Sequence, residues 1–139
     1  MKSWHGCCHC GALGFEFRTR LDPAAWSVRT CQCSFCRAHG AFYTSDPAGS
    51  IEFTHRDPAQ VSRYRFGHKT ANFLFCGHCG GFLGAVTELD GRQLMVINIQ
   101  VLDPRPGGLA AAQSMSYEGE SSGSRNSRHA ARWTPVSDS

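Results

Sequence analysis

The stretch Thr30-Cys31-Gln32-Cys33-Ser34-Phe35-Cys36-Arg37-Ala38-His39-Gly40 places three thiols within six residues. Two pairs flank it: Cys8 and Cys10 near the start, and Cys76 and Cys79 in the second half. Seven of the eight cysteines thus fall into clusters of two, three and two. Zinc takes four protein ligands in structural sites and three, with one open position, in catalytic sites. The counts divide accordingly. Two pairs make one closed four-cysteine site, and the remaining three make an open site that can take water or a substrate. The expected cofactor is Zn2+, two per chain.

A length of 139 residues suits one domain with a real core. Fifteen glycines and nine phenylalanines favour a β-rich domain with tight turns over a helical bundle. No stretch has the apolar length that spans a membrane, and the N-terminus lacks the apolar core of a secretory signal. The expected location is therefore the cytoplasm, where clustered cysteines bind metal more often than they pair. A disulfide framework is the plain alternative for eight cysteines, but Cys-x-Cys neighbours are poorly placed to bridge each other. The formal charge of +3 counts cysteines as neutral. Seven thiolates and two divalent ions would bring the chain to about zero, so net charge gives no case for nucleic acid as a partner.

Along the chain, Gly11 to Arg18 alternates Leu13, Phe15 and Phe17 with small or polar residues and reads as a half-buried strand. If the segment before it is extended, Cys8 and Cys10 share one face and leave Cys7 on the other as a structural or free thiol. Trp26 to Cys31 reads as a strand and Ser34 to Gly40 as a short helical turn that converges Cys33 and Cys36. Strands are expected over Ala41–Ser45, Ile51–Thr54, Val61–Phe66 and Thr70–Cys76. The clearest hairpin is Phe82–Glu88 with Gln93–Val101, joined by Leu-Asp-Gly-Arg. After the breaker Pro104–Gly108, Leu109–Gln113 suggests one helical turn, and the Ser/Gly/Arg-rich tail suggests loose attachment. The expected division is a zinc-binding domain over 1–104 and a C-terminal extension over 105–139.

Twenty residues separate Cys10 from Cys31 and thirty-nine separate Cys36 from Cys76, unlike the two Cys-x-x-Cys pairs of a zinc ribbon, about 15–20 residues apart. Pairing the first cluster with the last makes a site whose loss should unfold the domain. The middle cluster is closed if a histidine joins it; His39 is nearest, and His5, His55 and His68 are further candidates. If it is open, zinc there can present an exogenous small thiol as thiolate beside an aldehyde and polarise the carbonyl.

Gly6-x-Cys8-His-Cys10-Gly-Ala-Leu-x-Phe-Glu16, Cys31-x-Cys33-Ser-x-Cys36-Arg37 with Gly40-Ala41, Phe75-Cys76-x-x-Cys79-Gly80, and Ile97-Asn98 with Leu102-Asp103-Pro104 follow in that order. This pattern resembles the glutathione-dependent formaldehyde-activating enzyme family, which includes the centromere protein V type. The resemblance covers about residues 4 to 104. It implies an all-β, zinc-stapled β-tent of antiparallel sheets with short helical turns only. It implies a structural zinc on Cys8, Cys10, Cys76 and Cys79, and a catalytic zinc on Cys31, Cys33 and Cys36. The implied activity is formation of S-(hydroxymethyl)glutathione from formaldehyde and glutathione, a carbon–sulfur lyase reaction in the reverse sense. Glutathione's carboxylates would need cationic partners, with Arg37 the first candidate and Arg63, Arg65, His68 and Lys69 behind it. Cys7 and the tail after Pro104 depart from the pattern. The rival reading is a non-catalytic zinc-stapled glutathione carrier or protein-interaction module. A redox sensor using Cys7 or a metal-free middle cluster is a third.

Overall fold

In the structure, a computed structural model, residues 1–137 are described. Strand β2 (Leu13–Thr19) forms as its alternation dictates, with Leu13, Phe15, Phe17 and Thr19 buried. It lies between β1 (Lys2–Cys7) and β5 (Ser50–His55) in a three-stranded antiparallel sheet.

A larger sheet faces it. The strands are β3 (Arg29–Cys31), β4 (Tyr43–Thr44), β6 (Val61–Tyr64), β7 (Asn72–Cys76), β8 (Phe82–Leu89), β9 (Arg92–Asn98) and β10 (Gln113–Met115). Their order is β10-β3-β4-β9-β8-β7-β6, and a short β11 (Thr134–Pro135) also pairs with β9. The expected β8–β9 hairpin is present. Asp90 and Gly91 both take positive φ at its turn (51° and 75°), which matches the twist of the strands they join.

Two cores result. Leu13, Phe15, Phe17 and Ile51 of the small sheet pack between the sheets with Leu74, Leu83, Met95 and Ile97 of the large one. On the far face of the large sheet, Ala85, Leu94 and Val96 pack with Cys36, Tyr43, Phe82 and Trp133. Strand β9 is therefore covered on both faces, and Leu94-Met95-Val96-Ile97 is continuously apolar rather than alternating.

The architecture is mostly β, as expected, but several local readings change. Residues 8–11 form a tight turn closed by the Gly11 N–H on the Cys8 carbonyl (3.0 Å), not an extended segment. Only Arg29–Cys31 of the Trp26–Cys31 segment is strand, since Pro23–Ala25 is a 3-10 turn that precedes it. Residues 109–112 have no helical turn, and β10 pairs with β3 in parallel, not antiparallel.

The tail is not loose. Helix α2 (Ser122–Arg132), longer than the short turns expected, is followed by a buried Trp133 and a fully buried Thr134. Its Ser-Gly-Ser-Arg-Asn composition is poor for a helix, so caps and packing hold it. Ser121 Oγ accepts from the Ser124 N–H (3.1 Å), Ser45 Oγ donates to the Arg132 carbonyl (2.7 Å), and the Asp46 N–H donates to Thr134 Oγ1 (2.7 Å). Trp133→Ala should therefore cost about 3–5 kcal/mol of unfolding free energy in urea titrations. A loss below about 1 kcal/mol would show that the tail is no part of the core.

Candidate functional site

Cys8 and Cys10 sit on the turn after β1, and Cys76 and Cys79 on the turn from β7 to β8. The four sulfurs all lie within 4.8 Å of one another, with Cys8–Cys10 at 3.7 Å and Cys10–Cys76 at 3.6 Å. Four sulfurs tetrahedrally around one zinc, with bonds of 2.3 Å, stand about 3.8 Å apart, so this set could hold such an ion. Backbone donors already face the thiols. Leu13 N–H points at Cys8 Sγ (3.3 Å), and the His78 and Cys79 N–H groups at Cys76 Sγ (3.4 Å each). The N–H groups of Cys79 and His78 hold the Cys76 thiol below its usual range. Those of Cys10 and Gly81 hold Cys79 down to about 6, against some burial. Both favour the thiolate that a metal needs, whereas Cys10, lowered by the Ala12 N–H but raised more by burial and by its bonds to Cys76, Cys8 and Cys79, is pushed up to about 11. Gly81 permits the approach, since a Cβ there would lie 2.8 Å from Cys8 Cβ. His9 and His78 are exposed and outside the cluster, and Cys7 is an exposed free thiol.

Cys31, Cys33 and Cys36 form the second group, again within 4.8 Å of one another. Strand β3 delivers Cys31. Cys33 caps helix α1 (Ser34–His39), its sulfur accepting the Cys36 N–H (3.4 Å), and this turn brings Cys36 back beside it. Tyr43, from β4, places its hydroxyl 3.1 Å from Cys36 Sγ. Burial, with the neighbouring Cys36 thiol, raises the Tyr43 phenol far above its usual range, so it stays protonated and can donate to a Cys36 thiolate. The Cys36 thiol hydrogen bond holds Cys31 down to about 5, helped by the Cys33 N–H and the Arg128 charge and opposed by burial. Cys36 is correspondingly pushed far up, first by its bond to Cys31 and then by burial.

The two groups differ in what surrounds them. The three-thiol group lines a cavity of about 480 Å³, and the four-thiol group does not. That volume is within the range of small-molecule sites. Phe66, Phe73, Ala85 and Val96 supply apolar wall, and the tail closes the other side with Tyr117, Arg125, Arg128, His129 and Trp133. Glu120 accepts two hydrogen bonds from Arg128 (3.1 Å each) and lies 3.4 Å from Arg125 Nε, while Arg128 stacks on Tyr117 at 3.6 Å. His129, stacked on Trp133, is 3% exposed; burial first, then the Arg128 and Arg125 charges, lower its pKa to about 3 and keep it neutral.

Other expected residues are placed apart. Arg37 is exposed on α1 and does not line the cavity; Arg63, Arg65 and Lys69 are exposed too. His68 does line it, paired with Ser122 Oγ (3.1 Å) across to α2. His39 Nδ1 bonds the Phe35 carbonyl (2.9 Å), and no histidine joins the three thiols among the described residues. Asn98 is a structural tie: its amide donates to the Phe82 carbonyl (3.0 Å) and accepts from the Phe42 and Gln100 N–H groups.

The family model for glutathione-dependent formaldehyde-activating enzyme matches residues 3–118, which include all seven clustered cysteines. The chain belongs to this family. Among solved structures, a Rhodobacter sphaeroides protein is similar at 27% identity and a TM-score of 0.62, over 80% of this chain and 99% of that one. A comparison with curated proteins finds no match. For this glutathione-dependent formaldehyde-activating enzyme family member, the match ends before α2 begins at Ser122. Sequence reasoning missed Tyr43, Arg29 and the α2 side chains. Only the double-sided apolar run of β9 signalled that something must cover the far face.

Among the described residues, Tyr43 supplies the one side-chain oxygen hydrogen-bonded to these thiols, and Tyr43→Phe removes it while keeping the ring that packs on Phe82. The substitution should weaken metal retention at Cys31, Cys33 and Cys36 by about 10- to 100-fold, the usual effect of losing an outer hydrogen bond. The four-cysteine group should be unaffected. Chelator competition on reconstituted protein measures both, and equal weakening of the two sites would contradict the assignment.

Proposed function

We propose that this protein is a zinc-dependent enzyme of the carbon–sulfur lyase type that handles thiol–aldehyde adducts. The reaction it fits best is formation of S-(hydroxymethyl)glutathione from glutathione and formaldehyde. The observation that carries the reading is the contrast between the two thiol groups: the one with three sulfurs lines the cavity, and the one with four does not. Cys8, Cys10, Cys76 and Cys79 would hold a structural zinc. Cys31, Cys33 and Cys36 would hold a second, with a position left for a substrate thiol, giving two per chain.

Zinc at that group would lower the pKa of a bound thiol and polarise a carbonyl oxygen. The protein's own residues do the rest. The Tyr43 hydroxyl, donating to Cys36, fixes that sulfur and tempers its charge. Arg128, near Cys31, adds positive potential on the side where sulfur charge develops. Phe66, Phe73, Ala85, Val96 and Trp133 give the site an apolar wall. Overall one carbon–sulfur bond forms, the thiol loses a proton and the former carbonyl oxygen gains one, so no oxidant or reductant is required.

Zinc-replete protein should accelerate thiohemiacetal formation from glutathione and formaldehyde above the spontaneous rate in NMR exchange experiments. Cys33→Ser should return the rate to background with the fold intact by circular dichroism, whereas Cys76→Ser should give unfolded or insoluble chains. Lack of acceleration with both metals bound would leave a glutathione carrier as the reading. Unfolding of both variants alike would remove the division between structural and catalytic sites.

A further inference from the structure

Arg29 stands two residues before Cys31 on β3, and strand alternation puts both on one face with their Cα atoms about 6.6 Å apart. Both line the cavity. Arg29 is only 7% exposed. Its guanidinium donates to two neutral hydroxyls, Ser27 Oγ (3.0 Å) and Ser45 Oγ (2.7 Å), and Ser45 in turn holds the Arg132 carbonyl. A guanidinium carries five N–H donors, so three remain.

Among the described residues no carboxylate lies within 4 Å of Arg29. The contrast with its neighbours is sharp. Arg125 and Arg128 share Glu120, while Glu118, also lining the cavity, is exposed and does not pair with Arg29. A buried arginine stays protonated. A buried cation without an anion is costly, and here the missing anion has a place to sit, in a cavity shared with the thiol group.

We infer that Arg29 is the seat of a carboxylate on the substrate thiol, and that the cavity selects thiols carrying an acid group. This rests on the reading that a thiol docks at Cys31, Cys33 and Cys36. Arg29 takes the part that sequence spacing suggests for Arg37, which stands outside the cavity. It positions the acid end of the substrate while the sulfur end meets the cysteines. The hydroxyls of Ser27 and Ser45 hold the guanidinium plane without neutralising it. Because Ser45 also grips the end of α2, the same contact ties the anion seat to the cavity's roof.

The test is calorimetric binding to the zinc-reconstituted full chain, which reads affinity without turnover. The probes are 3-mercaptopropionate, its methyl ester and 2-mercaptoethanol, used on wild type, Arg29→Gln and Arg29→Lys. The acid should bind wild type about 10-fold or more tightly than the ester, the scale of a charge-assisted hydrogen bond. Arg29→Gln should erase that preference by weakening the acid alone, and Arg29→Lys should keep part of it. Comparing the acid-to-ester ratio between variants cancels differences in thiol acidity. Should Arg29→Gln fail to fold or retain zinc, wild type against Arg29→Lys decides. Equal acid and ester binding by wild type, or equal losses for all three thiols in the variants, overturns the inference. Selective binding without turnover of an aldehyde would leave it standing and sink the proposed enzyme; turnover without acid preference would do the reverse.

Discussion

Four sulfurs within 4.8 Å of one another join the turn after β1, in the small sheet, to the β7–β8 turn of the large one. Cys8 and Cys76 are buried and Cys10 and Cys79 half-buried; four thiolates at this separation would repel one another, a strain that a bound cation would relieve. A metal that binds the folded set and has no preformed site in the unfolded chain turns its binding energy into folding energy. The apolar layer of Leu13, Phe15, Phe17, Leu83 and Ile97 lies between the sheets that such a clamp would tie together. Two backbone bridges support it elsewhere, Gly6 with Leu102 and Ile51 with Val136. The second of these comes from the tail, so the last described residues close the sandwich that the first cysteines begin.

The large sheet has a second face, and on the proposed reading the chemistry belongs to that face. Leu94 and Val96 point there while Met95 and Ile97 point to the small sheet. The second face carries the three-thiol group, its Tyr43 donor, and the cavity covered by α2 and Trp133. Segregation of this kind would let one metal group serve the structure while the other met a substrate. It also explains why β3, only three residues long, matters: it carries Arg29 and Cys31, and β10 and β4 flank it on either side.

The cysteine clusters were legible because metal geometry constrains sequence spacing directly: Cys33 and Cys36 are three apart because one helical turn joins them, and Cys76 and Cys79 because one tight turn does. Strand β2 and the β8–β9 hairpin were legible from alternation and from Asp90-Gly91. The tail was not. Its helix has no apolar stripe, burying only His129, and stands on Ser121, Glu120 and stacking with Tyr117 and Trp133 rather than on propensity. The parallel β10 is three residues of Gln-Ser-Met, too short and polar to give a period. Tyr43 and Arg29 escaped notice for a related reason: a lone tyrosine or arginine on a strand carries no spacing signal, and its role depends on what the fold sets opposite it. The turn at residues 8–11 shows the converse. Cys8 and Cys10 do meet on one metal site, but a β-turn unites them, and strand alternation reached the right pairing through the wrong backbone.

The match to the family ends at residue 118, before the first residue of α2. Every clustered cysteine lies inside that match, and Arg125, Arg128, His129 and Trp133, which close the cavity, lie outside it. On the proposed reading, the thiol groups depend on short spacings that all lie within the match. The wall that would select the substrate thiol draws on Arg29 inside the match and on the tail outside it. The tail also bears on the three thiols, through the Arg128 charge near Cys31 and the packing of Trp133 with Cys36. The cysteines therefore speak for a metal chemistry, while the identity of the thiol would be read from Arg29 and the α2 wall.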